Sequence, residues 1–278
     1  MCKQITILVT ILVFVLTTGV QAELEGYWMF DEGAGGIAYD SSGKGRDGTI
    51  SGSKWDAGGW DGWCLDFDGA NDAVDLDAID VVGPGITLAA WIKPDDFETF
   101  GARIISKADE RYNNNHWWML STYQASHGQT LRFRLKTTEA GGTALLIANT
   151  GLLLTGEWQH VAAVWDGAMM RLYLNGIEIA SVAKGGSAVA TNPTIKAAIG
   201  SQPSDAYDTD PASAQKFFDG LMDEVVIYNE GLSPLQIQDL IDGILPVIEP
   251  VNDDCDDAKP VGDVNDLTFV TNTFGVIA

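Results

Sequence analysis

Basic residues are scarce in this chain. Its 278 residues carry 16 Lys+Arg against 39 Asp+Glu, a formal net charge of −23 at pH 7. A surface of that sign repels phosphate backbones and anionic headgroups, which removes nucleic acid and membrane surfaces from the main partners. It suits divalent cations and neutral ligands, and it keeps an exported protein soluble. Histidine is scarcer still: His116, His127 and His160 are scattered, so no transition-metal site is expected. Of three cysteines, Cys2 falls in the leader described below, leaving Cys64 and Cys255. Cys64 sits in a strand-like alternation (Trp63-Cys64-Leu65-Asp66-Phe67) and reads as a buried small hydrophobe more readily than as half of a bridge to Cys255. Long apolar runs are missing after residue 22, so no membrane insertion of the mature chain is expected.

The one apolar run, residues 5–16, follows Lys3 and leads to Val20-Gln21-Ala22, small or β-branched residues at −3 and −1 of a cleavage site. That is the pattern of a secretory signal peptide over residues 1–22, cut before Glu23, and it predicts a secreted or cell-surface protein. The chain as a whole has a globular composition, 46% hydrophobic and 20% charged, with 31 Gly and nine Trp.

Period-2 patterning dominates residues 25–228. Ile86, Leu88, Ala90 and Ile92 share one strand face, and Thr87, Ala89, Trp91 and Lys93 the other. Leu131, Phe133 and Leu135 alternate with Arg132, Arg134 and Lys136, and Leu172 and Leu174 with Arg171 and Tyr173. Asn175-Gly176 between two such runs is the sequence of a two-residue type I′ hairpin. About a dozen strands joined by Gly- and Asp-rich turns predict two packed antiparallel sheets. One helix is expected after Ser233: Pro234 in its first turn, Gln236 completing a capping box, Ile237, Leu240 and Ile241 as its apolar stripe, Gly243 ending it. At that place it reads as a flap closing one edge of the sandwich. Residues 244–278 begin with a Pro-containing extended stretch and read as a linker followed by a truncated tail, either the start of a further β-module, with a strand-like run at 267–270, or a loose end, since so few residues cannot bury a core of their own.

The ordered motifs Trp28-Met29-Phe30-Asp31-Glu32-Gly33, Leu65-Asp66-Phe67-Asp68-Gly69, Ile86 through Ile92, Trp158-Gln159-His160-Val161-Ala162, Leu172-Tyr173-Leu174-Asn175-Gly176 and Phe218-Asp219-Gly220-Leu221-Met222-Asp223-Glu224-Val225 carry a resemblance. Over residues 23–243 the chain resembles the laminin-G-like jelly-roll domain of the concanavalin-A-like lectin/glucanase superfamily, in its bacterial secreted form. The resemblance implies an all-β fold: a two-sheet antiparallel jelly-roll sandwich with one short C-terminal helix. It also implies a structural Ca²⁺, with Asp223 as the Asp opening the last long strand and supporting oxygens from Asp31 and Gly69.

That superfamily holds enzymes as well as lectins, so function has to be read from the site. Its β-glucan-cleaving members carry acidic residues in an E-x-D-x-x-E arrangement, which places two carboxylates on one sheet face as a retaining mechanism requires. No Glu here has Asp at +2 and Glu at +5, and a sialidase-type Asp box is absent. Asp72, Asp75 and Asp77 read as a solvated edge. No catalytic residue is expected.

A glycan needs flat aromatic faces for the apolar side of a pyranose and planar polar groups for its hydroxyls. Trp91 and Lys93, Arg132 and Arg134, and Trp117 with Tyr123 after the loop 113–115 supply these types. If their faces meet on one concave sheet they form an aromatic, cationic groove suited to polysaccharides, acidic ones included. The reading is a non-catalytic module that binds polysaccharide or glycoconjugate, against two alternatives: a structural or adhesive domain whose partner is another surface protein, and a glycan-cleaving enzyme.

Overall fold

A computed structural model describes residues 23–109, 116–139, 143–203 and 216–246, all within the compact unit Met1–Ile248. The expected signal peptide, the loop 113–115, Cys255 and the strand-like run at 267–270 lie outside the described residues.

Among the described residues sixteen strands are divided between two sheets. In chain order they are β1 (Leu24–Trp28), β2 (Ile37–Ala38), β3 (Gly48–Ser51), β4 (Lys54–Asp56), β5 (Cys64–Asp68), β6 (Ala73–Leu76), β7 (Ile86–Pro94), β8 (Arg103–Ala108), β9 (His116–Ala125), β10 (Gly128–Leu135), β11 (Ala144–Ile147), β12 (Gln159–Trp165), β13 (Met169–Leu174), β14 (Ile177–Ala183), β15 (Ala197–Ile199) and β16 (Asp219–Tyr228). The first sheet runs β14-β13-β12-β7-β16-β5-β4, with β1 also paired to β16; the second runs β11-β10-β9-β8-β15-β6-β3-β2. All the pairings are antiparallel, as expected for a jelly-roll sandwich.

The alternation read from sequence sets the inner faces. Ile86, Leu88, Ala90 and Ile92 of β7 meet Leu131, Phe133 and Leu135 of β10 in one buried cluster, joined by Trp28, Trp118 and Trp165. Asn175 and Gly176 link β13 to β14 with φ of +48° and +77°, the two left-handed residues that a type I′ turn requires. Cys64 is a free, buried thiol, and burial pushes its pKa up to about 12.

The helix α1 spans Pro234–Ile241, with Ser233 as N-cap and both hydrogen bonds of the Ser233–Gln236 capping box formed. It does not close an edge of the sandwich. Ile237 and Leu240 pack with Leu232 on Ala89, Ala162, Val164, Tyr173, Val226 and Tyr228, the outward side chains of the first sheet. Those central strands are apolar on both faces, and an uncovered outer face would leave that surface in water at a cost of about 25 cal/mol per Å². No helix among the described residues is long and apolar enough to cross a membrane.

Candidate functional site

The outer face of the second sheet collects the cations. β8, β9 and β10 are adjacent, and their register sets Arg103, Ser121 and Arg132 in one cross-strand row. Directly opposed residues share a face, so the row stands on the side away from Leu120 and Phe133, which point into the core. Arg134 is the next outward residue of β10, opposite Met119, and Lys136 follows.

Among the described residues Arg103, Arg132 and Lys136 are held by neutral groups. Arg132 donates its Nε to Ser121 Oγ (3.1 Å), and its guanidinium carbon lies 5.1 Å from the centroid of the Tyr123 ring. Tyr123 meets Phe100 edge-on at 5.1 Å. The Lys136 ammonium lies 4.7 Å from the centroid of Trp117. Arg103 donates to Gly101 O (2.6 Å) and Gln202 Oε1 (2.7 Å), and its Nη2 lies 3.3 Å from His116 Nε2. Because a guanidinium only donates, that His116 nitrogen must accept, which puts the imidazole proton on Nδ1. Burial, then Arg103, pushes the His116 pKa down to about 2, so the ring is neutral. Burial also lowers Arg132, to about 10, with Arg134 adding to the effect.

Trp91 and Lys93 are elsewhere. They stand on β7, in the first sheet, and their outward faces lie on the opposite side of the sandwich from Arg132 and Arg134. The single groove expected to unite them does not form. Alternation gave the direction correctly, since Trp91 points away from the inter-sheet core, but it carries no information about which sheet a strand joins. Nor is Trp91 a free platform. It is 5% exposed, because Trp60 stacks on it at 3.5 Å with the rings 14° apart, and His160 packs edge-on at 5.4 Å. Trp117 also departs from expectation: it is buried and joins the main core cluster, leaving Tyr123 as the half-buried aromatic of the outer face.

Of the residues expected to hold calcium, Asp31 and Asp223 both accept hydrogen bonds from the 61–63 loop, and Gly69 lies apart from them. Asp223 is the fifth residue of β16 and does not open it. Its side chain is fully buried and accepts from the backbone N–H groups of Asp61 (3.1 Å) and Glu224 (2.9 Å). Burial pushes its pKa up to about 8. Asp31 accepts from Trp63 N (2.9 Å). Gly69 lies beside Asp219, four residues along the strand from Asp223, or about 13 Å at the usual strand rise. Among the described residues no group of three or more His, Cys, Asp or Glu is arranged to hold a metal ion. Asp72 is buried and accepts from Asp68 N (2.9 Å), so it is a turn-forming residue instead of part of a solvated edge.

Sequence reasoning missed Arg103, Gly101, Phe100 and Gln202. Arg103 heads an apolar run, where a charge reads as a solvated strand end, and its partner Gln202 is 99 residues away. No local pattern reports such a pairing.

A laminin-G-type family model described as the concanavalin A-like lectin/glucanases superfamily matches residues 67–238. Mouse pappalysin-1 (Mus musculus) is 27% identical over 127 residues, which is 43% of this chain and only 8% of that protein. Domain 4 of AbnA, a GH43 extracellular arabinanase from Geobacillus stearothermophilus, solved with arabinotriose, is similar in structure. The TM-score is 0.58 at 22% identity, over 79% of this chain and 98% of that one. The botulinum neurotoxin serotype D ligand-binding domain, solved with N-acetylneuraminic acid, gives a TM-score of 0.55 at 15% identity, over 80% of this chain and 51% of that one.

Proposed function

The chain belongs to the concanavalin A-like lectin/glucanases superfamily, and from that premise we propose that it is a non-catalytic carbohydrate-binding module of an exported protein, taking a polysaccharide or glycoconjugate on the outer face of its second sheet. One observation carries the reading. In a chain of net charge −23, Arg103, Arg132, Arg134 and Lys136 share one sheet face with Tyr123 and Phe100. Planar donors beside aromatic edges are what hydroxyl-rich rings require. Arg132, fixed by Ser121 and Tyr123, enters binding with part of its side-chain entropy already lost.

Two similar folds were solved with a bound sugar, arabinotriose in one and N-acetylneuraminic acid in the other. The outer face of the first sheet is the weaker candidate, because α1 and the Trp60–Trp91 stack cover it.

Affinity electrophoresis through gels containing arabinan, xylan, β-glucan or a sialylated glycoprotein tests the proposal. Retardation in at least one gel is expected, weakened by Arg132→Gln, with no release of reducing sugar from any substrate. Unretarded migration in all of them overturns the binding reading. Turnover abolished by a single Asp or Glu substitution overturns the non-catalytic one.

A further inference from the structure

Two buried guanidiniums stand side by side on the second sheet, with no counter-charge among the described residues. Arg103 is 2% exposed and Arg132 7% exposed. Both reach Gly101: a Cβ built there would stand 2.5 Å from Arg132 Nη2 and 3.5 Å from Arg103 Nη1. Among the described residues neither meets a carboxylate; their partners are Gly101 O, Gln202, His116, Ser121 and the Tyr123 ring. Burying like charges together is unfavourable unless something opposite arrives, and this chain has 39 acidic residues from which to draw a partner. Donors are also left over. Arg103 Nε is buried with no hydrogen-bond partner, and among the described residues the hydrogen bond that Arg132 makes is through its Nε.

Resting on the reading of this face as the glycan surface, we propose that the bound glycan carries an isolated carboxylate, received by the terminal nitrogens of Arg132 with Arg103 behind it. The end of a guanidinium offers two parallel N–H donors at the spacing of two carboxylate oxygens. With Nε committed to Ser121, the end-on fork is the approach that Arg132 has left. Tyr123 and half-exposed Phe100 beside it offer apolar surface to the sugar ring that bears the acid. Gly101, at φ +72°, leaves room for the guanidinium that any side chain would fill.

The rest of the molecule selects against polyanions. Beyond a Debye length of about 8–10 Å a neighbouring run of carboxylates meets the field of an acidic protein, whereas a charge seated on the two arginines is screened from it less. The fitting ligand is a neutral glycan with a sparse acidic sugar, either a uronic acid substituent or a terminal sialic acid.

Calorimetric titration compares each acidic ligand with its neutral twin: glucuronoxylan oligosaccharides against the same preparation with its carboxyls reduced to alcohols, and sialyllactose against lactose. One pair is expected to show binding about tenfold tighter or more for the acid, identifying uronate or sialate as the source. Arg132→Gln should bring the acid down to the level of its neutral twin. Should that variant fail to fold, the carboxyl-reduced comparison decides alone, since it leaves the protein untouched. Equal affinity within both pairs, or a preference for polygalacturonate over both acids, overturns the inference and leaves glycan binding standing. No binding to these ligands or to arabinan, xylan or β-glucan overturns both.

Discussion

Replacing Trp91 with Ala separates the two faces of the sandwich. Trp91 lies on β7 in the middle of the first sheet, 5% exposed, between the Trp60 ring at 3.5 Å and the His160 ring at 5.4 Å. Truncating a buried Trp costs about 3–5 kcal/mol, from lost transfer energy and the void left behind. Here the lower end applies, because Trp60 is itself 46% exposed and can settle into the gap. A loss of about 3 kcal/mol in a domain of this size lowers the melting temperature by roughly 6–12 °C, at about 2–4 °C per kcal/mol. Trp60→Ala alone should cost less, and the double-mutant cycle should return a coupling of about 0.5–1.5 kcal/mol for the stacked pair. Urea titration followed by circular dichroism measures all three. Glycan affinity of the folded Trp91→Ala protein should stay at the wild-type value, because Arg132 lies on the other sheet. A variant with wild-type stability and lost glycan affinity would refute the argument and move the site to the first sheet.

Other expectations follow from the same geometry. Burial pushes the His160 pKa down to about 4, so between pH 6.5 and 4.5 the unfolded chain takes up a proton that the folded one refuses; stability should fall by about 2–3 kcal/mol over that interval, and His160→Gln should flatten that part of the profile in denaturant titrations. Asp223 acts with the opposite sign, its raised pKa of about 8 costing stability as pH rises through that value, which is why the difference between wild type and His160→Gln is the quantity to compare. Gly101→Ala should lower stability by about 1–2 kcal/mol through its left-handed φ, and should weaken binding of the acidic glycan by displacing Arg132, as titration of the refolded variant would show. Chelation by EDTA should leave the melting temperature unchanged, since Asp223 already accepts backbone N–H groups and Gly69 is far from it; a drop reversed by Ca²⁺ and absent in Asp223→Ala would restore the calcium set.

The sandwich was legible because its causes are local. Alternation in β7 and β10 needs only the pleat to assign Leu88 and Phe133 inward and Trp91 and Arg132 outward. Asn175-Gly176 specifies its turn by two backbone angles, and Ser233 with Gln236 specifies a helix start by two hydrogen bonds, all within four residues. What lies across the chain from a given residue is not local. That β7 joins one sheet and β8, β9 and β10 the other depends on pairings such as Asp223 with Trp91 and Arg103 with Ser121, and on which faces remain apolar enough to need cover. Tertiary structure therefore decided that Trp91 belongs to a packed stack with Trp60, that α1 covers a sheet face, and that Gly69 lies beside Asp219, away from Asp223. It also brought Arg103, 29 residues before Arg132, to the same two-guanidinium site, because neighbouring strands lie about 4.8 Å apart however far apart they are in sequence.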